Sequence, residues 1–139
     1  MIPKIIHQTC WDISNKNKPI PIEWKKAQKS WLDHHPGWKY KLWTDADNLL
    51  FLQEYYPWFV EIFVNYPHPI QRADAIRPFL LYHFGGLYAD MDMYCVQPFD
   101  DILTKDGVYI LESGHTGLSN SLMASSKQNP FWEKCYKNS

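Results

Sequence analysis

The chain has 139 residues, of which 45% are hydrophobic and 21% charged, with a formal net charge of −1. That is enough for one domain with a real core and not enough for two. It carries no basic field of the sort that holds nucleic acid, so nucleic acid is not an expected partner.

Other global features narrow the class further. Cys10, Cys95 and Cys135 are too widely spaced for a disulfide framework or a zinc pattern, which fits a reducing, cytoplasmic setting. "MIPKIIHQT" has too short an apolar run for a signal peptide. No stretch approaches the roughly 20 apolar residues of a membrane helix, so any membrane association is expected through a partner or a further segment. Aromatic residues make up 17% of the chain. They can fill a core or stack on a sugar or base.

In chain order, Lys4–Gln8 is a short β-branched run read as a buried strand, with His7 and Gln8 at its C-terminal end. "DISNKNKPIP" is a polar, proline-rich loop. "PIEWKKAQKSWLDHHPG" is a helix, with Pro21 in its first turn, Trp24, Ala27, Gln28 and Trp31 on one face, and Pro36-Gly37 as its stop. "WKYKLWT" alternates as a strand. Thr44-Asp45 caps a helix over "ADNLLFLQEYY", and after Pro57 a short helix covers "WFVEIFVNY". The longest helical pattern is "IQRADAIRPFLLYHFGG": Ala73, Ile76, Leu80 and Phe84 share a face and Gly85-Gly86 end it. Pro78 inside it is expected to kink the helix near Asp74. Strands follow at "LYADMDMYCV", "GVYILES" and "SLMASS", and "FWEKCYKNS" begins another helix. Strands alternating with helices predict an α/β sandwich on a mostly parallel sheet, residues 1–139 forming a single domain.

Two Asp-x-Asp pairs occur, Asp45/Asp47 and Asp90/Asp92. The first sits at a helix start, where acids cap free amides and suit the dipole. The second lies in the strand "LYADMDMYCV", and residues i and i+2 of a strand share a face. Two carboxylates projected together repel unless a cation lies between them. A hard divalent ion, manganese or magnesium, takes oxygen ligands, and phosphate oxygens and water would complete its shell. The crevice of an open α/β sheet lies outside the carboxyl ends of its strands, where this pair stands. Asp74 and Arg77 share a face of the preceding helix at i, i+3 spacing, and with Arg72 they are expected to bring both signs of charge to the same crevice. Paired aspartates also serve phosphoester hydrolysis, but His34-His35 are badly placed to complete such a site. A binding module that holds a nucleotide or glycan without turnover is the other alternative.

At "IPKIIHQT", "DHHPGWKYKLWTD", "YPWF", "YPHPIQRADAIRPFLLYHFGGLYADMDMYCVQPFDDIL" and "GLSNSLMASSKQNPFW" the chain resembles glycosyltransferase family 32. Within it the resemblance is nearest to the catalytic subunits of fungal mannosyl inositol phosphorylceramide synthases. It implies a GT-A type nucleotide-sugar-binding α/β/α sandwich, with a C-terminal part expected beyond this segment. It also implies a GDP-mannose donor, a lipid or glycan acceptor, a divalent metal (Mn2+ or Mg2+) and retention of configuration. By the resemblance Asp90 and Asp92 hold the metal, Asp90 also meeting the donor. Asp74 and Arg77 grip the donor sugar, and His7, Gln8 and Thr9 border the nucleotide. A loop with Ser119 and Asn120 lies near the sugar and acceptor. Asp74, Arg77, Asp90 and Asp92 are the expected catalytic set.

Overall fold

The computed structural model describes residues 1–10, 20–113 and 117–137. Most of the expected loop "DISNKNKPIP" lies outside them. In chain order come β1 (Ile5–Thr9), α1 (Ile22–His34), β2 (Lys39–Trp43), α2 (Asp45–Tyr55), a 3-10 turn (Pro57–Phe59), α3 (Val60–Val64) and α4 (Pro69–Phe84). There follow β3 (Gly86–Ala89), β4 (Val108–Ser113), β5 (Gly117–Ser125) and α5 (Pro130–Lys137).

The five strands form one sheet in the order β2-β1-β3-β5-β4. It is mixed rather than mostly parallel. β1 pairs parallel with β2 and with β3, while β5 pairs antiparallel with β3 and with β4. The cause is local. Helices cross over between the first three strands and return the chain for parallel pairing, whereas β4 and β5 follow each other directly, as an antiparallel pair does.

Side chains alternate across β3 with period two. Leu87 and Ala89 pack on one face with Ile6, Trp31, Cys95 and Ala124. Tyr88 points to the other face, with Leu81, Met123 and Trp132. An aromatic core of Trp43, Phe51, Phe59, Phe63, Phe79 and Tyr136 fills the space between α2, α3, α4 and α5. The sheet therefore has helices on both faces.

The local signals explain the boundaries. Thr44 accepts from the Asp47 amide and Asp47 accepts from the Thr44 amide, a capping box that starts α2. α4 runs through Pro78 and stops at Gly85, whose φ is +67°. Gly86 follows at φ +100°, and a Cβ there would come within 2.5 Å of the Ile5 carbonyl. Only glycine lets α4 turn this sharply into β3 against β1. That turn fixes where Arg77 on α4 meets the end of β3.

Candidate active site

The acid pair is not on a strand. β3 ends at Ala89, and Asp90–Met93 form a turn closed by the Met93 amide donating to the Asp90 carbonyl at 3.1 Å. The expected strand geometry, with Asp90 and Asp92 projecting together, gives way to a turn that separates their environments. Asp90 is half-buried and Asp92 is exposed. Ladder pairing persists one residue beyond β3, because the Asp90 amide donates to the Ser121 carbonyl at 2.8 Å. After that the chain leaves the sheet edge, the sort of place where α/β folds put ligands.

Several side chains pin this turn. The Gln8 amide donates to the Asp90 carbonyl at 3.2 Å. Tyr40 donates to Gln8 Oε1 at 2.6 Å, and Gln28 on α1 donates to the Tyr40 hydroxyl at 2.9 Å. At the far end of the turn the Trp31 indole donates to the Met93 carbonyl at 2.8 Å. The Asp90 carboxylate is held from the other side. Tyr88 donates to Asp90 Oδ1 at 2.7 Å, and Arg77 Nη2 lies 2.8 Å from the same oxygen. Because the Tyr88 proton is committed to Asp90, Thr9 Oγ1, 2.9 Å away, donates to the Tyr88 oxygen.

Arg77 is the hinge of the site. Its Nη2 bridges Asp90 and, at 3.0 Å, Asp74 Oδ1. Nη1 donates to the Asn120 carbonyl at 3.0 Å, and the guanidinium lies 4.6 Å from the centre of the Tyr88 ring. Burial lifts the Asp90 carboxyl above the ordinary carboxylate range. Arg77 and the Tyr88 hydrogen bond oppose that lift, and the neighbouring Asp92 and Asp74 add to it. One guanidinium is thus shared by two carboxylates, with the exposed Asp92 carboxylate close to Asp90, which leaves a surplus of negative charge.

Two cavities meet at Arg77. One, of about 190 Å³, is lined by Thr9, Trp24, Ile70, Arg77, Asp90, Met91 and Asp92. The other, of about 210 Å³, takes in Asp74, Arg77, Ser119 and Asn120. Ser119 and Asn120 lie within β5, not in the expected loop, and β5 starts earlier than the "SLMASS" pattern suggested.

Other expectations fall elsewhere. Arg72 turns from the crevice to Asp45, at 2.9 Å. His7 is buried in the core, its ring packed near Trp43 and Phe84. The Trp43 indole donates to His7 Nδ1 at 3.2 Å, so Nε2 carries the proton and donates to the Gly85 carbonyl at 2.9 Å. Gln8 is equally buried, behind the Asp90 turn. Neither His7 nor Gln8 lines either cavity, since a side chain buried within a sheet faces the packed layer beside it. His34 and His35 bond to carbonyls of their own helix, and His35 also accepts from the Phe99 amide.

Tyr88, Trp24 and Met91 join the site without having been singled out by sequence reasoning. For Tyr88 the signal was present, because it stands two residues before Asp90 and shares its face.

For a divalent cation the donor set fits in part. Asp92 offers an exposed carboxylate that no ion pair or hydrogen bond engages among the described residues, and Asp90 stands two residues away with one oxygen, Oδ1, already engaged. Both are hard oxygen donors. No group of three His, Cys, Asp or Glu side chains suited to a metal occurs among the described residues. A metal here would therefore depend on oxygens from a ligand and from water.

The family model described as "Glycosyltransferase sugar-binding region containing DXD motif" matches residues 21–109. A mannosyl phosphorylinositol ceramide synthase of Saccharomyces cerevisiae is 44% identical over 137 residues, covering 99% of this chain and 34% of its own length. Inositol phosphoceramide mannosyltransferase 2 of Schizosaccharomyces pombe is 44% identical over 138 residues, covering 99% of this chain and 38% of its own length. The chain thus spans about a third of the length of the curated relatives it matches. Among solved structures the PaToxG glycosyltransferase superposes with a TM-score of 0.75 at 18% identity, covering 98% of this chain and 59% of that one. That likeness shows the fold, a GT-A type α/β arrangement. The chain belongs to the glycosyltransferase sugar-binding region family that carries the DXD motif.

Proposed function

We propose that this chain is the donor-binding part of a metal-dependent, retaining mannosyltransferase. It would take GDP-mannose as donor and a hydroxyl of an inositol phosphoceramide or a glycan as acceptor. The observation that carries the reading is the bridge made by Arg77 Nη2 between Asp74 and Asp90, beside the exposed carboxylate of Asp92. The names of the relatives support mannose and a phosphoinositol lipid.

In this reading Asp92 and Asp90 would hold a divalent cation. When bound, that cation supplies neutralisation of the leaving diphosphate. The chain's own residues do the positioning. Arg77 and Asp74 orient the sugar at the wall between the two cavities. Thr9 and Trp24 line the cavity that receives the rest of the donor. Gln8 and Tyr40 are positioning residues that fix the main chain of Asp90, and Tyr88 fixes its carboxylate.

The test is turnover. The chain is incubated with GDP-mannose and manganese, with and without detergent-solubilised inositol phosphoceramide, and GDP release and mannosylated lipid are followed. The reading expects mannosylated lipid that disappears on chelation. GDP-mannose binding with neither transfer nor hydrolysis would favour a module that only holds the donor.

A further inference from the structure

The Asp90 carboxylate is gripped by Tyr88 and Arg77, but Asp92 has no hydrogen-bond or ion-pair partner among the described residues. Only its own torsions and the main chain decide where its carboxylate stands. Asp92 is third in the Asp90–Met93 turn, after the buried Met91. An acid so placed is only as well fixed as the two ends of its turn. The Gln8 amide holds the entry, at the Asp90 carbonyl. The exit is held by α1 and the residue that follows it.

Three contacts make that attachment. The Trp31 indole donates to the Met93 carbonyl at 2.8 Å, and the Cys95 amide donates to Ser30 Oγ at 2.8 Å. The Phe99 amide donates to His35 Nε2 at 2.9 Å. The rings of Trp31, His35 and Phe99 stack on one another, with centroids 5.8, 5.5 and 6.1 Å apart. Residues 93–99 form neither helix nor strand, so these contacts stand in for a ladder. A buried indole N–H needs an acceptor. Trp31 is fully buried and finds its acceptor on the turn that carries the acid pair, while its neighbour Ser30 takes the amide two residues on. The same helix carries Trp24, which lines the acid-pair cavity. α1 therefore ties one wall of that cavity to the turn that bears its acids.

We propose that Trp31 and Ser30 are positioning residues for the cation site. Through the Met93 carbonyl and the Cys95 amide they hold the Asp92 carboxylate where a divalent ion meets it. The proposal rests on the reading of Asp90 and Asp92 as the cation's ligands. Neither Trp31 nor Ser30 lines the acid-pair cavity. They fix Asp92 before the ion arrives, so that binding does not also have to order the turn. The hold on the sugar, assigned to Asp74 and Arg77 on α4, does not run through this attachment.

The experiment is calorimetric titration of GDP into the whole chain, once with manganese and once with chelator. It compares the wild type with Trp31→Phe, Ser30→Ala and Thr44→Ala. Trp31→Phe keeps a ring for the stack and loses the N–H. Thr44→Ala removes the α2 cap, on the other side of β1 from the turn, and controls for a general loss of stability. The quantity read is the gain in GDP affinity that manganese brings. Changing a residue that orients a metal ligand costs about 10–100-fold in metal affinity, so Trp31→Phe should cut the gain about tenfold and Ser30→Ala roughly threefold. Thr44→Ala should leave it as in the wild type. The ratio of GDP-mannose to GDP affinity in manganese should be the same in all four chains. An undiminished gain in Trp31→Phe, or in Ser30→Ala if Trp31→Phe does not fold, overturns the proposal. So does an equal loss in Thr44→Ala, which would make the effect one of stability, or a changed ratio, which would place Trp31 behind Arg77 instead of Asp92. A wild-type chain that binds GDP equally well without manganese would overturn the cation reading itself, and the positioning role with it.

Discussion

Tyr88→Phe removes one oxygen from the centre of the site and leaves the ring that supports Arg77. Tyr88 is fully buried, and its hydroxyl accepts from Thr9 at 2.9 Å and donates to Asp90 Oδ1 at 2.7 Å. Two losses follow. A hydrogen bond to a charged group is worth about 1.5–3 kcal/mol, and a buried donor left without an acceptor, here Thr9, costs about 1–3 kcal/mol. Removing the hydroxyl also relieves its own burial, so a net destabilisation of about 2–3 kcal/mol is expected. In a chain of this size that lowers Tm by roughly 6–10 °C. Asp90 keeps Arg77 but loses the group that fixes its torsion, so GDP affinity in manganese should fall about tenfold. Thr9→Val removes the donor in place of the acceptor. It leaves the Tyr88–Asp90 bond intact and should cost less on both counts. Calorimetric titration with GDP and manganese, beside a thermal melt, gives both quantities. The reasoning is refuted if Tyr88→Phe lowers Tm but leaves GDP affinity unchanged, because Tyr88 would then serve the core alone.

Arg77→Ala should weaken GDP-mannose about ten- to a hundredfold more than it weakens GDP, since a charge-assisted hydrogen bond to the sugar is worth about 1.5–3 kcal/mol and GDP has no sugar to hold. Arg77→Lys should not restore it, because one ammonium cannot hold the two aspartates and also reach the Asn120 carbonyl as the second arm of the guanidinium does. Equal weakening of both ligands would assign Arg77 to a structural ion pair. Asp47→Asn should cost about 1 kcal/mol through the α2 cap and Asp45→Asn should loosen Arg72, with donor binding intact in each; a loss of donor affinity in either folded variant would implicate the wrong acid pair. His7 has a pKa lowered to about 4 by burial, against the Gly85 carbonyl, which favours the charged form. Below about 6.5 the unfolded chain takes up a proton that the folded one refuses, so stability falls between pH 6.5 and 4, by up to about 3 kcal/mol. A melt series over that range should show the fall, and should show it reduced in a folded His7→Gln variant.

Much of this was legible in the sequence because the signals are local. The Thr44 cap, the Gly85-Gly86 stop and the alternation of "WKYKLWT" each depend on neighbours within a few residues, and each element formed where its signals stood. The acid pair was legible as chemistry but not as geometry. A strand reading of "LYADMDMYCV" follows from its composition, yet β3 stops at Ala89 and the chain leaves the sheet in a turn held by Gln8 and Trp31. Those partners lie 82 and 62 residues away in sequence. The mixed sheet, the burial of His7 and the diversion of Arg72 to Asp45 are likewise decided by tertiary pairing. Arg77 at i+3 from Asp74 was visible, whereas its contact with Asp90 depends on the glycine turn that brings α4 back onto β3.

The central claim is that Asp90 and Asp92 hold a cation together with the donor's diphosphate. Calorimetric titration of GDP into the chain, with manganese and then with chelator, tests it most directly. The account predicts binding that requires the metal, is abolished by Asp92→Asn and is weakened by Asp90→Asn. Binding of equal strength without metal, or unmoved by Asp92→Asn, would contradict it.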